Sequence, residues 1–185
     1  MSPTAVLDPL AAADALAAVA GEHGTPVYVY DLDVVTRRVE ALRAALPPAV
    51  ELAFAVKANP SLAVLAHLAA LGLGADVASA GEVEAVGRAG FAPGRVVMTG
   101  PGKGPAEHRA ALAGTVGTVT VESVGELERL AAAAASAGRR IPVLLRSSAG
   151  EAAGERLDED RKRLVVLNHY AIGADVHPVA VRVLG

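Results

Sequence analysis

The chain has no cysteine and no tryptophan, and only 3% of its 185 residues are aromatic. Without thiols, disulfides and thiolate metal sites are excluded, and the composition suits a reducing compartment. The few aromatics and a net charge of −3, with no basic stripe, argue against a nucleic-acid surface. No apolar run approaches the roughly 20 uninterrupted residues that a membrane span needs. Residues 10–20 are alanine-rich, but no basic segment precedes them and Asp14 interrupts them, so they read as an amphipathic helix rather than a signal peptide. The expected location is the cytoplasm, with neither membrane nor nucleic acid as partner. His23, His67, His108, His169 and His177 show no metal-ligand spacing, and no metal is expected.

Apolar residues are plentiful: 52% hydrophobic against 20% charged, enough to build one ordinary core. Residues 9–22 read as a helix closed near Gly21 and Gly24, and residues 27–30 as a short strand. Asp31 then caps a helix over 32–46 that Pro47-Pro48 ends. A regular alternation follows, with strands at 50–57, 74–79, 95–99, 117–121 and 141–146 and helices at 61–71, 81–89, 105–113 and 123–137. Strands apolar on both faces and joined by helical crossovers form a parallel sheet with covered faces. The pattern admits an open doubly wound sheet or a (β/α)8 barrel. A closed barrel takes about 250 residues, so this chain is expected to supply only part of one. After Arg146 the rhythm weakens. Residues 150–163 are polar and charged, reading as a linker or solvated helix, and residues 164–167 and 179–184 each fit a strand.

Lys57 ends the apolar run from Glu51 and is followed at once by Ala58-Asn59-Pro60, which turns the chain. An amine at such a strand mouth, half out of water, is expected to lose hydration of its charged form and become nucleophilic toward an aldehyde. The plainer reading is a lysine that marks where a strand meets solvent. Asp76 and Arg146 also stand at or near strand ends. Each has its own plainer reading, as a carboxylate bonding the next loop and as a solvated strand terminus. Ser79 and Glu82 carry the spacing of a helix-capping box. Gly100-Pro101-Gly102-Lys103-Gly104 lacks phosphate-loop spacing and needs only a backbone explanation as a strand-to-helix turn.

Three segments occur in order: Gly24-Thr25-Pro26-Val27-Tyr28-Val29-Tyr30-Asp31, Ala55-Val56-Lys57-Ala58-Asn59-Pro60 and Gly74-Ala75-Asp76-Val77-Ala78-Ser79-Ala80-Gly81-Glu82. Together they resemble the N-terminal part of the fold-type III pyridoxal-phosphate decarboxylases, which include the diaminopimelate, ornithine and arginine decarboxylases. The likeness runs from about Gly24 to Arg146. It implies a partial (β/α)8 TIM barrel of the alanine racemase-like type, with about five βα units and no C-terminal β-domain. Residues 1–146 would form the incomplete cofactor-binding domain and 147–185 a divergent tail.

The resemblance further implies pyridoxal 5'-phosphate as cofactor, held by Lys57 as an internal aldimine. Asp76, Glu82 and Arg146 would line the cofactor pocket. The implied activity is that of an amino-acid carboxy-lyase of the diaminopimelate decarboxylase type in lysine biosynthesis, acting on a small amino acid. The implied assembly is a homodimer or a pair with a full-length homologue. The family's His-x-Gly-Ser segment, its glycine-rich phosphate loop, its late acidic partner for the pyridine nitrogen and the cysteine of its β-domain have no counterpart after Arg146. A truncated, inactive remnant that binds a homologous chain or the cofactor is therefore the alternative expectation.

Overall fold

The computed structural model describes residues 13–146 and, for the backbone, 179–183. The chain divides into two compact units at Pro47 and Pro48. The first contains α1 (Ala13–His23) and α2 (Leu32–Ala45). Asp31 caps α2 as the sequence predicts, its Oδ1 accepting from the amides of Asp33 at 2.9 Å and Val34 at 3.1 Å. Residues 27–30 do not form the expected strand. A strand is held by its ladder, and no strand among the described residues pairs with this segment, so Tyr28 stays 90% exposed.

The second unit is built on one sheet. Its strands are β1 (Val50–Ala55), β2 (Gly74–Val77), β3 (Val96–Met98), β4 (Thr118–Val121), β5 (Val143–Leu145) and β6 (Val179–Val183), with spatial order β5-β4-β3-β2-β1-β6. Strands β1 to β5 are mutually parallel and adjacent in chain order. The helices α3 (Leu62–Ala70), α4 (Ala80–Ala89), α5 (Pro105–Ala113) and α6 (Val124–Ser136) make the crossovers between them. This is a partial βα barrel-like fold, one of the two architectures that the alternation admits and the one that the resemblance implies. The predicted strand over 179–184 does form. It lies antiparallel beside β1, with Ala53 opposite Ala180, rather than following β5 in the series. The strand expected over 164–167 falls outside the described residues.

Why these segments fold this way is visible in their burial. Every residue of β4 is buried, the signature of a strand covered on both faces. Val77, Val96, Met98, Val119 and Val121 from the strands are shut off from water, as are Leu65 of α3, Val86 of α4 and Leu130 of α6. Full burial of each such side chain contributes roughly 1.5–3 kcal/mol. At the N-terminal edge of the sheet, Arg95 ties two neighbouring segments together. Its Nη1 donates to the Gly72 carbonyl at 2.7 Å and its Nη2 lies 3.5 Å from Glu51 Oε1. The opposite edge carries the polar residues of interest. No helix among the described residues is long and apolar enough to cross a membrane.

Candidate active site at the C-terminal edge of the sheet

Because β1 to β5 run in the same direction, their C-terminal ends share one edge, where enzymes of the barrel class keep their sites. Each strand brings one polar residue there. Lys57 lies two positions after β1, Asp76 is the penultimate residue of β2, Thr99 follows β3, Glu122 follows β4 and Arg146 follows β5. The register aligns them, with Ala55 opposite Asp76 and Val77 opposite Met98. The ladder continues past the strand ends, since Thr99 N donates to Val77 O at 2.7 Å and Arg146 N to Val121 O at 2.9 Å.

Lys57 sits in a single 3₁₀ turn, Val56–Ala58, pinned by the fully buried Val56 and closed by Asn59 N donating to Val56 O at 3.0 Å. The turn lifts Lys57 out of the strand, and the residue is exposed rather than half-buried. Asp76 is the desolvated member of the group. Burial holds its carboxyl above the ordinary value, and the negative charge of Glu82 acts in the same direction. Opposing them are the hydrogen bond from Thr99 Oγ1, at 2.6 Å, and the positive charges of Lys57 and Arg146. The structure thus brings all four residues singled out from sequence into one electrostatic cluster around Asp76.

Glu82 also has the local role its spacing predicts. Its amide donates to Ser79 Oγ at 3.2 Å. Its carboxylate, however, reaches one residue beyond the cap, accepting from Ala78 N at 2.7 Å. Arg146 is not a free strand terminus, because its Nη1 lies 3.2 Å from Glu122 Oε1. Thr99 and Glu122 escaped the sequence reading. The signal for both is the same one that exposed Lys57 and Arg146: a polar residue directly after an apolar strand run, in Val96-Val97-Met98-Thr99 and Thr118-Val119-Thr120-Val121-Glu122. Lys103 is buried, with Nζ 3.0 Å from Glu126 Oε1 and donating to the Gly100 carbonyl, so it is not offered to a phosphate. Among the described residues, no group of three or more histidine, aspartate or glutamate side chains is placed to hold a metal.

An exposed lysine on the strand next to a half-buried carboxylate fits the carbonyl end of an aldehyde cofactor. In such a fit the amine would be the nucleophile, and the carboxylate would favour positive charge on the nitrogen once bonded. The fold and this edge define the class: a βα-barrel segment with an amine-and-carboxylate cluster at its strand ends. Residues 32–162 match the family described as "Pyridoxal-dependent decarboxylase, pyridoxal binding domain". The chain is 46% identical over 132 residues to the diaminopimelate decarboxylase of Zymomonas mobilis, covering 69% of this chain and 31% of that protein. It is 45% identical over 133 residues to the Pseudomonas aeruginosa diaminopimelate decarboxylase, covering 71% and 32%.

Among solved structures, diaminopimelate decarboxylase from Helicobacter pylori complexed with L-lysine is similar at a TM-score of 0.67 and 33% identity, covering 71% of this chain and 33% of that one. Lysine/ornithine decarboxylase from Vibrio vulnificus complexed with cadaverine is similar at 0.67 and 31% identity, covering 76% and 37%. The chain therefore belongs to the pyridoxal-dependent decarboxylase family and carries part of its pyridoxal-binding domain. It spans 31% and 32% of the two curated relatives just described.

Proposed function

We propose that this chain is the cofactor-binding portion of a pyridoxal-phosphate-dependent amino-acid decarboxylase of the diaminopimelate type, with Lys57 as the residue that carries the cofactor. One observation carries the reading: Lys57, two residues past the end of β1, and the half-buried Asp76 of β2 stand on neighbouring strands at the C-terminal edge, where Ala55 is opposite Asp76. The names of the relatives support a basic amino acid as the substrate class, since two of the similar structures hold L-lysine and cadaverine. A cytoplasmic enzyme, working as a homodimer or paired with a longer homologue, completes the proposal.

In this reading pyridoxal phosphate, when bound, supplies a ring that takes up the electron pair left on the substrate as CO₂ departs. The chain's own residues do the rest. Lys57 holds the carbonyl end of the cofactor through its amine. Asp76 keeps a proton, and with it positive charge, on the bonded nitrogen. Thr99 fixes the Asp76 carboxylate by its 2.6 Å hydrogen bond, so that the charge stays aimed at one place. Glu82 adds negative potential while anchoring the start of α4 through Ala78. Arg146, held by Glu122, limits how far burial raises Asp76.

The test is a visible absorption spectrum of the purified chain with added pyridoxal phosphate, followed by borohydride reduction and peptide mapping. The expected result is a yellow band and a reduced adduct on Lys57, both lost in Lys57→Ala. An adduct that maps elsewhere, or persists in Lys57→Ala, would sink the assignment. Absence of any band in the native chain would favour the inactive remnant.

A further inference from the structure

Lys103 and Glu126 are the most deeply buried ion pair among the described residues, with side chains 0% and 5% exposed and Nζ 3.0 Å from Oε1. Neither belongs to the cluster around Asp76. A buried pair of this kind is weak evidence for stability, because desolvating both charges offsets most of their attraction. Its placement suggests another use. Lys103 lies in the turn between β3 and α5, and Glu126 in the first turn of α6. The pair therefore clamps the β3–α5 turn to the start of α6, on the edge that carries the candidate site.

The contacts continue from there in one direction. Glu126 Oε2 accepts from Glu122 N at 3.0 Å, and Glu122 Oε1 lies 3.2 Å from Arg146 Nη1. The other oxygen, Glu126 Oε1, is buried and has no hydrogen-bond partner, leaving the Lys103 ammonium as its stabilising neighbour. On the other side, Lys103 Nζ also donates to the Gly100 carbonyl, which ties the ammonium to its own turn.

A second comparison shows what the lysine adds. Ser79-Ala80-Gly81-Glu82 and Ser123-Val124-Gly125-Glu126 are near repeats, and both serines accept from the amide of their glutamate at 3.2 Å. Both glutamates reach back to the amide four residues earlier, Ala78 in one case and Glu122 in the other. The first of these hydrogen bonds is exposed and the second part-buried. The motif around Glu126 is the more buried of the two, and a buried cation lies against its glutamate.

We propose that Lys103 is a positioning residue, which through Glu126 fixes the backbone at Glu122 and so sets the Glu122–Arg146 pair on the site edge. The link to function rests on the reading of Arg146 given above; the positioning itself does not. Without the ammonium, the Glu126 carboxylate is a buried charge with one orphaned oxygen. It turns outward to water, the Glu122 amide loses its acceptor, and Arg146 loses a fixed partner.

The experiment uses the chain without cofactor. Amide hydrogen exchange and the Nε–H order parameter of Arg146 are measured by NMR in the native chain, Lys103→Met and the double variant Lys103→Met/Glu126→Gln. In Lys103→Met the Glu122 amide is expected to exchange about tenfold faster, the factor that one lost hydrogen bond of ordinary strength supplies. The order parameter of Arg146 falls, while the Val77 and Val97 amides in the centre of the sheet keep their protection. The double variant buries no charge, and its glutamine oxygen still accepts from Glu122 N, so protection and Arg146 order return. Uniform acceleration of all amides, or a double variant no better than the single, would overturn the proposal.

Should Lys103→Met not fold, the comparison passes to Lys103→Met/Glu126→Gln against Lys103→Met/Glu126→Leu. Both are neutral at position 126, and only the glutamine offers an acceptor to Glu122 N. Equal Glu122 exchange and equal Arg146 order in these two would also overturn it. Failure of the pyridoxal-phosphate spectrum with these exchange results intact would count against the proposed function and leave the positioning role standing.

Discussion

Thr99 Oγ1 donates to Asp76 Oδ1 across 2.6 Å, joining the residue after β3 to the penultimate residue of β2. This contact is the direct hydrogen bond that offsets the burial of the Asp76 carboxylate. Removing it in Thr99→Val should raise the Asp76 titration further, as read by carbon NMR of the labelled carboxyl. The sign for stability follows. Asp76 is raised by folding, so its contribution is fully present below its ordinary value of 3.8 and is lost as pH rises through the folded value. Thr99→Val should therefore cost about 1–3 kcal/mol at neutral pH, with a smaller cost in acid where Asp76 is protonated. Equal destabilisation at both ends of the pH range would show that the hydroxyl serves packing instead.

Glu107 presents the opposite sign. Its Oε2 accepts from Gly104 N at 2.9 Å and its Oε1 from Ala80 N at 3.0 Å, so one carboxylate joins the starts of α5 and α4. The Gly104 amide, then its own amide, and beyond them that of Ala80 hold this carboxyl below its ordinary value. Its contribution is present above 4.5 and is lost as pH falls through the folded value. Glu107→Gln should lower neutral-pH stability by about 0.5–1 kcal/mol, a figure kept small by its exposure. In urea titrations the gap to the native chain should close as the pH falls. A gap independent of pH would assign the effect to shape rather than charge.

The alternation of strands and helices was legible because the two differ in hydrophobic period and because some helices carry a side-chain cap at their start. Ser79 and Asp31 mark the starts of α4 and α2 correctly. Residues 27–30 misled for the complementary reason: β-branched and aromatic residues predict a strand, but pairing decides whether one forms. Lys57, Asp76, Glu82 and Arg146 are singled out in the sequence through motif and strand ends. Thr99 and Glu122 are not, since a threonine or a glutamate after an apolar run has no distinctive local chemistry. Lys103 was read for its turn alone. That a lysine in a glycine-rich turn is buried against Glu126, 23 residues on, is tertiary information.

Gly117 tests the packing of the strand entrances. A Cβ there would stand 2.5 Å from the Gly94 carbonyl oxygen, a backbone atom that cannot swing aside. Gly117 N meanwhile donates to Val96 O at 2.8 Å, which holds the two segments together. Gly117→Ala should cost about 1–3 kcal/mol in urea unfolding, as overpacking of a fixed contact does. Gly94→Ala is the control, because a Cβ at Gly94 meets nothing within 4 Å. Similar losses in both variants would rule out the close approach as the cause.

Asp76→Asn separates what the site does from what the fold needs. Asparagine keeps an oxygen to accept from Thr99, and it removes a charge that burial penalises. At neutral pH, where the native carboxyl bears that penalty, the variant should be as stable as the native chain or more so. In acid, where Asp76 takes up a proton, the difference should vanish. The proposed role predicts the opposite for the cofactor: without the carboxylate, nothing from β2 keeps positive charge on the nitrogen bonded at Lys57. Retention of the pyridoxal adduct should fall by roughly 10- to 100-fold, the equilibrium equivalent of losing one contact to a charged group. Thermal melts and pyridoxal-phosphate titrations on the same preparations read both quantities. A variant that gains stability while losing the cofactor would mark Asp76 as a residue kept for function against the preference of the fold. A variant that loses both would place Asp76 among the residues that merely close the edge of β2.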